Sequence, residues 1–261
     1  MAKKNPKEQE RRALVEKMRA EQQRKERQRS MLILGLCIVV VLGLLSAALV
    51  PYLKDKKNDS KIAKTDISKL GVSKAAASCD KITTKSAQGS GDHKAEGTKI
   101  DYPDAPPAFG AHWGNFLLRN QQRNFWTAAD RPPLEQMVHS LEHGHTYIWY
   151  DDTIKEGSQE YKDLQAIASK YQSKNNLYVN VLPWLSTDGA AFPDGKHVVL
   201  THWTGPKDQK GVWEYCGKPS GEVIGDFVDT GDALLVTTTA RAQDVKAIVE
   251  TLKQAGRTDL T

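Results

Sequence analysis

The hydropathy pattern has one dominant apolar run, close to the amino terminus. Residues 31–50 read MLILGLCIVVVLGLLSAALV, and the stretch without a charged side chain extends over residues 30–53. About 20 apolar residues are needed to cross the roughly 30 Å hydrocarbon core of a bilayer. The pattern therefore predicts a transmembrane anchor over residues 31–53.

Beyond residue 130 the apolar positions follow helical and strand periods in turn. Helices are predicted at residues 134–143, 159–171, 221–228 and 242–255, and strands at residues 146–150, 177–182, 197–203 and 233–239. The first helix should end at Gly144, because glycine readily adopts the left-handed conformation that closes helices. Together these elements predict an α+β fold, with a mixed β-sheet and flanking helices.

Three segments before residue 130 lack a clear period. Residues 54–78 mix charged and small side chains and are predicted to form a stalk, with one amphipathic turn near residues 67–72. Residues 82–99 are polar and contain Gly and Ser, which predicts a loop. Residues 100–113, IDYPDAPPAFGAHW, contain prolines that exclude regular structure over most of their length. The folded domain is expected to cover residues 79–261.

Charge is concentrated in the first segment of the chain. The net charge is +5, but residues 1–29 hold eleven Lys and Arg against five Glu, so the remaining residues sum to −1. No basic surface is left for nucleic acid, which argues against that partner. Residues 1–30 are predicted to be a cytoplasmic basic helix, because positive charge flanking a membrane span stays inside. The carboxy-terminal domain would then lie outside the cytoplasm.

A cleaved signal peptide is the alternative to an uncleaved, single-pass signal-anchor. The small residues around Ala48 could form a cleavage site. However, the apolar core of a signal peptide usually has about 7–15 residues, and this one is longer and follows a long charged segment. The sequence favours the anchor and leaves cleavage near Ala48 open.

Two of the three cysteines are predicted to form a disulfide. Cys37 lies in the apolar run and is interpreted as a small membrane residue, whereas Cys79 and Cys216 lie beyond it. In an oxidising compartment outside the cytoplasm these two should pair. They lack C-x-x-C spacing, so dithiol redox chemistry is not indicated by the sequence.

A histidine-rich segment, residues 137–145, is the strongest candidate for a functional site. His139 and His143 are four residues apart and would lie on one face of the predicted helix. His112, from the proline-rich loop, could supply a third imidazole, and three protein ligands are typical of catalytic zinc sites. The sequence predicts a copper or zinc site that handles or senses metal. The alternative is that the histidines are packed residues of a structural or interaction module of the cell envelope.

Three further residues are assigned roles at this metal site. Met137 offers a soft thioether, which favours copper, particularly Cu(I). His202, on the predicted strand at residues 197–203, is the better placed of that strand's two histidines to join the cluster. Glu142 is predicted to orient an imidazole from the second coordination sphere.

The same segment allows an enzymatic interpretation. His139 to His143 match H-x-x-E-H, a zinc-peptidase motif in which the glutamate acts as general base. A zinc-dependent hydrolase would need a further ligand, for which Glu214 or Glu222 could be proposed. The match is short, and Gly144 should end the helix at once, which argues against a peptidase.

These motifs together resemble the DUF3105 family of bacterial proteins, which are mostly single-span, envelope-facing and without an assigned activity. The resemblance covers about residues 79–230 and rests on a P-P-x-S-G-x-H-W and an H-x-L-E-H-G pattern. These patterns match Pro106, Pro107, Gly110, His112, Trp113, His139, Leu141, Glu142, His143 and Gly144. Phe109 stands where the family commonly has serine, and His145 where it commonly has a small or apolar residue. The resemblance implies an envelope domain with a shared histidine-rich centre, but no reaction.

Overall fold

The computed structural model describes residues 6–205 and 209–230 of the chain. The predicted strand at residues 233–239 and helix at residues 242–255 lie outside the described residues. The chain divides into two units, residues 1–58 and residues from Asp59 onward. The described residues of the first unit are helical, and the second unit contains the sheet.

The first helix, α1, covers Pro6–Lys64 and contains the predicted membrane span. It is long and apolar enough to cross a bilayer, by length and composition. Its large apolar side chains between Met31 and Leu53 are all exposed, as is expected for a surface that faces lipid. The helix also extends into the segment that the sequence predicts as a stalk.

A mixed sheet forms the centre of the second unit. Its strands are β1 (Thr83–Ser86), β4 (Thr146–Tyr150), β5 (Val179–Pro183), β6 (Val198–Trp203) and β7 (Lys210–Cys216), in the spatial order β1-β7-β6-β4-β5. Strands β4 and β5 are parallel, and the other pairs are antiparallel. A separate parallel pair joins β2 (His93–Lys94) to β3 (His112–Trp113). The predicted α+β fold with a mixed sheet is confirmed.

Helices cover both faces of this sheet. They are α2 (Leu134–Glu142), α3 (Gln159–Ser173) and α4 (Gly221–Thr230), and a 3-10 turn lies at Ile67–Lys69. Side chains of α3 and α4 pack with Ile148 and Tyr150 of β4, whereas those of α2 pack with Tyr147 and Trp149 of the same strand. Because successive strand residues point to opposite faces, α2 lies on one face and α3 and α4 on the other.

The face covered by α2 is strongly aromatic. Its buried rings are Trp126, Tyr147, Trp149, Trp184, Phe192, Trp203 and Trp213. Two of the indole N–H groups donate hydrogen bonds inside this layer: Trp149 to Thr201 Oγ1 (2.8 Å) and Trp213 to the carbonyl of Pro106 (2.8 Å). The proline-rich loop is thereby held against the sheet beside α2.

The predicted disulfide between Cys79 and Cys216 is confirmed. It joins the segment before β1 to the end of β7. Nearby, Leu70 and Ala77 are buried in the apolar cluster on the face of α3 and α4. Part of the segment that the sequence predicts as a stalk therefore contributes to the core.

Four strands were not predicted: β1, β2, β3 and β7. β1 and β2 lie in residues 82–99, which the sequence predicts as a loop, and that prediction is wrong at these positions. β1 has the sequence TTKS, all exposed, so it shows no apolar alternation. β7 alternates correctly, with Trp213 on one face and Val212 on the other, but the charged Glu214 shares the apolar face and hides the period.

Candidate metal centre

The helix that carries the histidine motif ends where the sequence predicts. After Glu142, the N–H of Gly144 donates to the carbonyl of Leu141 (2.9 Å), and the N–H of His145 donates to that of Ser140 (3.1 Å). This pair of bonds is a Schellman motif, and it requires the positive φ of 84° that Gly144 adopts. The sharp closure leaves Glu142 and His143 at the very end of α2.

Four residues bring potential ligand atoms together at this helix end. One ligand atom from each of His93, His112, His139 and Glu142 lies within 4.8 Å of the others. The residues come from β2, β3 and α2, so the cluster depends on the β2–β3 pair packing against α2. The cluster includes two of the three histidines predicted as the core of a metal site, His112 and His139, together with Glu142.

His112 is held in one orientation and one tautomer. The residue is fully buried, and its Nδ1 lies 2.8 Å from the carbonyl oxygen of Gly110. Because a carbonyl only accepts, Nδ1 must carry the proton, and in the neutral ring Nε2 then carries the lone pair. Gly110 has a φ of 143°, a conformation that glycine adopts readily.

His139 is fixed in the same way from the helix side. Its Nδ1 donates to the carbonyl oxygen of Trp113 at 2.6 Å, which leaves the lone pair on Nε2. Burial, together with the neighbouring His112 and His143, lowers the pKa of His139 to about 3. The ring is therefore neutral at ordinary pH, as a metal ligand must be.

Glu142 faces His112 across the cluster. Its Oε2 lies 3.3 Å from His112 Nε2. Burial raises the pKa of this carboxyl, but His112 first, then His139 and His143, outweigh that effect, so the pKa falls below its ordinary value. The carboxylate is thus ionised and offers oxygen atoms to a cation.

His143 contacts the cluster through His139. The two Nε2 atoms are 3.1 Å apart, and since His139 Nε2 carries a lone pair, His143 must donate this hydrogen bond. Phe116 stacks on the His143 ring, with centroids 4.2 Å apart. His143 is outside the four-residue set, and its predicted role as a ligand remains a prediction.

His93 is the member of the cluster that was not predicted as a ligand from the sequence, where it was interpreted as a loop residue that could fold over the site. It lies in the polar segment before the proline-rich loop and is exposed, yet its ring centroid is 4.9 Å from those of His112 and His139. Pairing of β2 with β3 places His93 directly beside His112. A single histidine in a segment of Gly, Ser and charged residues does not indicate that this segment pairs with β3.

Two residues predicted as ligands lie apart from the four-residue set. Met137 is fully buried in the aromatic layer, with its sulfur 3.8 Å from the Tyr147 hydroxyl. His202 lies on the sheet face opposite to Trp203, and its Nδ1 contacts Thr146 Oγ1 (3.0 Å) and the carbonyl of His145 (3.1 Å). The sheet therefore stands between His202 and the face that α2 covers.

The carboxylates considered for a hydrolase also lie elsewhere. Glu214 belongs with Cys79 and Cys216, on the face of α3 and α4. Glu222 accepts a hydrogen bond from the backbone N–H of Lys74 (3.2 Å). Neither supplies the downstream ligand that the H-x-x-E-H interpretation requires.

Fold and site together define an α+β domain with a disulfide and a cluster of three histidines and one carboxylate, preceded by a helix able to span a membrane. Residues 93–212 match the model of a family described as protein of unknown function, DUF3105. The match begins at His93 and includes the whole cluster, and it confirms the resemblance noted in the sequence. Both cysteines of the disulfide lie outside the matched residues.

A second family model, described as an inhibitor of host cell division protein domain, matches residues 9–63. This segment falls entirely within α1, so the similarity concerns the charged and apolar helix alone. No curated protein and no solved structure matches the chain.

Proposed function

We propose that this protein is a membrane-anchored metal-binding protein whose domain lies outside the cytoplasm and holds one divalent ion, zinc or copper. His112, His139 and Glu142 would be the inner ligands, and His93 the ligand nearest to solvent. The basic start of α1 would remain in the cytoplasm, in accord with the positive-inside rule. The class of function is metal handling or sensing.

The observation that carries the proposal is the contact between His112 and Glu142. His112 Nε2 makes no hydrogen bond to any described residue, and it lies 3.3 Å from Glu142 Oε2. In a neutral His112 this nitrogen would direct its lone pair at a carboxylate oxygen. A metal ion between the two atoms removes the repulsion, because each lone pair then binds the cation. Ligand atoms around a tetrahedral zinc ion are roughly 3.3 Å apart, given metal–nitrogen bonds of about 2.0–2.1 Å.

The hydrogen bonds behind the cluster give further support. Metal-binding histidines usually donate their second ring N–H to a carbonyl or carboxylate, which fixes the tautomer and raises ligand basicity. His112 and His139 both do so, to Gly110 and Trp113. The carbonyl groups belong to the same loop, so one backbone segment orients both imidazoles.

Ligand chemistry and exposure indicate which ion and which use fit best. Imidazole and carboxylate donors suit Zn²⁺ and Cu²⁺. Since Met137 is buried away from the cluster, the argument for Cu(I) loses its thioether. His112 and His139 are buried, whereas His93 is exposed and the Glu142 side chain is one-third exposed. An ion held between a fixed inner pair and a solvent-facing outer pair could be exchanged, which fits metal handling.

The experiment is a metal titration of the untagged full-length protein in detergent. After equilibration with Zn²⁺ or Cu²⁺ and desalting, elemental analysis should find one ion per chain. The His112→Gln/His139→Gln variant should retain less than a tenth of that. His197→Gln is the matched control, because His197 is a partly exposed histidine hydrogen-bonded to Asp151 and should leave the stoichiometry unchanged.

Two results would contradict the proposal. Wild-type protein that retains neither ion would mean that the cluster is a packing contact, and the domain would then be an envelope interaction module. A double variant that keeps full stoichiometry would place the metal elsewhere. Circular dichroism and formation of the Cys79–Cys216 disulfide check that each variant has folded.

A further inference from the structure

A buried carboxyl lies on the sheet face opposite to the histidine cluster. Glu214 is only 9% exposed, and its side chain shares the inner face of β7 with Val212 and Cys216. Two charged side chains act on its carboxyl, Lys74 and Asp226. Burial disfavours the ionised form of a carboxyl, and buried titratable groups are often found at functional sites.

This carboxyl lies beside the disulfide. One Glu214 oxygen and the sulfur atoms of Cys79 and Cys216 all lie within 4.8 Å of one another. The two cysteines differ in exposure: Cys216 is 2% exposed, whereas Cys79 is partly exposed. An external thiolate would therefore reach Cys79 more easily, and Cys216 would be the sulfur that leaves next to the acid.

The backbone around the disulfide is held by bonds that do not depend on sulfur. Asp80 N–H donates to the carbonyl of Tyr215 (2.8 Å), and Gly217 N–H donates to that of Ala77 (2.8 Å). Lys196 Nζ holds the same segment from outside, because it donates to the carbonyl of Ser78 at 2.7 Å and pairs with Asp80 Oδ1 at 2.7 Å. Reduction would leave both cysteines facing each other, ready to reoxidise.

We propose that the Cys79–Cys216 disulfide is redox-active and exchanges with an external dithiol, with Glu214 as the group that gives a proton to, and takes one from, Cys216. A thiolate of the dithiol attacks Cys79 Sγ, which forms a mixed disulfide and breaks the Cys79–Cys216 bond. Cys216 leaves with the electron pair and takes the proton of Glu214.

The second half of the exchange releases the oxidised dithiol. The second thiol of the dithiol loses a proton and attacks the dithiol sulfur that is bonded to Cys79. This closes the oxidised dithiol, and Cys79 leaves as a thiolate. Two electrons pass from the dithiol to the protein, and the protons released by the dithiol restore Glu214 and protonate Cys79. Run backwards, Glu214 as carboxylate accepts the Cys216 proton while the protein reduces a disulfide.

The electrostatic surroundings suit a proton carrier. Burial raises the pKa of Glu214; Lys74, from the segment before Cys79, lowers it, and Asp226 on α4 raises it. Lys74 is itself paired with Asp226 and lies near Glu222. The net effect is a raised pKa, which brings proton release closer to neutral pH.

The test follows reduction of the full-length protein by dithiothreitol in detergent, with a metal chelator present. Cys37 is first blocked with a light alkylating reagent, and mass spectrometry with a heavy reagent then gives the rate at Cys79 and Cys216. Each rate is divided by the dithiothreitol thiolate concentration across pH 5–8. The wild-type normalised rate should fall as Glu214 loses its proton. Glu214→Gln should be slower by at least about tenfold at low pH, with no such fall.

Controls separate proton transfer from a change in fold. Asp229→Asn removes an exposed carboxylate of α4 and should leave the profile unchanged. In concentrated guanidinium, wild type and Glu214→Gln should react equally, since Glu214 is then no longer held near sulfur. Glu214→Leu is the second variant, which supplies no proton but suits an apolar environment.

A wild-type disulfide that is reduced only at the rate of global unfolding would overturn the proposal and leave a structural cross-link. The same conclusion would follow from a flat wild-type pH profile, or from Glu214 variants that react as fast as wild type.

Discussion

Nε2 of His112 lies 3.3 Å from Oε2 of Glu142, so the proline-rich loop and the end of α2 meet at a histidine and a carboxylate. Glu142 is the last residue of α2, where the unpaired carbonyl groups of a helix give a partial negative charge. A carboxylate at that end is unfavourable unless a cation lies beside it. The helix end and the carboxylate would thus both attract any cation that bound beside them.

Replacement of this carboxylate tests whether it binds the ion directly. Glu142→Gln keeps the shape and removes the charge, so Zn²⁺ affinity should fall by at least about tenfold. Competition with a chromogenic chelator measures the change. Glu156→Gln, an exposed carboxylate outside the cluster, should leave the affinity unchanged. An unaltered affinity for Glu142→Gln would reduce the site to its histidines.

We expect Met137 to stabilise the hydrophobic core and not to bind the metal. Met137→Leu conserves volume, so the free energy of unfolding should change by less than about 1.5 kcal/mol. Affinity for Zn²⁺ and for copper in either oxidation state should stay the same, because the Met137 sulfur contacts the Tyr147 hydroxyl. Urea denaturation and metal competition check the two parts. A selective loss of Cu(I) affinity would instead restore the thioether ligand suggested by the sequence.

Stability of the metal-free protein should depend on pH through His145. Burial lowers the pKa of this ring from 6.5 to about 4; the hydrogen bond to Asn180 opposes the shift, and His143 and His202 add to it. Between pH 6.5 and 4, His145 is therefore protonated in the unfolded chain and neutral in the folded chain. The free energy of unfolding should fall by about 3 kcal/mol between pH 6.5 and 4, and this contribution is fully present above pH 6.5.

Urea denaturation at several pH values, with a chelator present, measures this dependence. His139, whose pKa is also lowered by burial, contributes in the same direction, so the share of His145 is the difference between wild type and His145→Gln. That variant should show a smaller slope over the same pH range. Equal slopes for wild type and His145→Gln would show that His145 titrates alike in both states.

The elements with strong periodicity were predictable from sequence, and the weak ones were not. Residues 146–150 form a strand as predicted, because five consecutive apolar or β-favouring residues are buried on both faces. Strand β1 was not predicted because its residues are exposed at the sheet edge and form a strand only through pairing with β7. No local pattern encodes such pairing.

The candidate site was predictable as far as local motifs reach. His139 and Glu142 share one turn of α2, and His112 follows a proline-rich loop. The sequence therefore predicted that all three belong to the site. His93 required the β2–β3 pair, which has only two residues in each strand. Assignment of His202 depended on which sheet face α2 covers, and strand alternation alone cannot supply that information.

Gly91 should set the position of the Glu142 carboxylate. A Cβ added there would lie 2.7 Å from Glu142 Oε1 and 3.7 Å from Trp203 Cη2, so the flexible carboxylate must move away. Gly91→Ala should therefore weaken Zn²⁺ binding several-fold, while the free energy of unfolding changes by less than about 1 kcal/mol, since alanine also restricts the unfolded chain.

Gly114→Ala is the matched control for that substitution, because a Cβ at Gly114 would have no atom within 4 Å. It lies next to Trp113, whose carbonyl orients His139, and so tests whether any added methyl group near the cluster disturbs it. Zn²⁺ affinity should be lowered by Gly91→Ala and unchanged by Gly114→Ala. If both variants bound Zn²⁺ as wild type does, the position of the carboxylate would not limit binding, and the inner ligands would be the imidazoles alone.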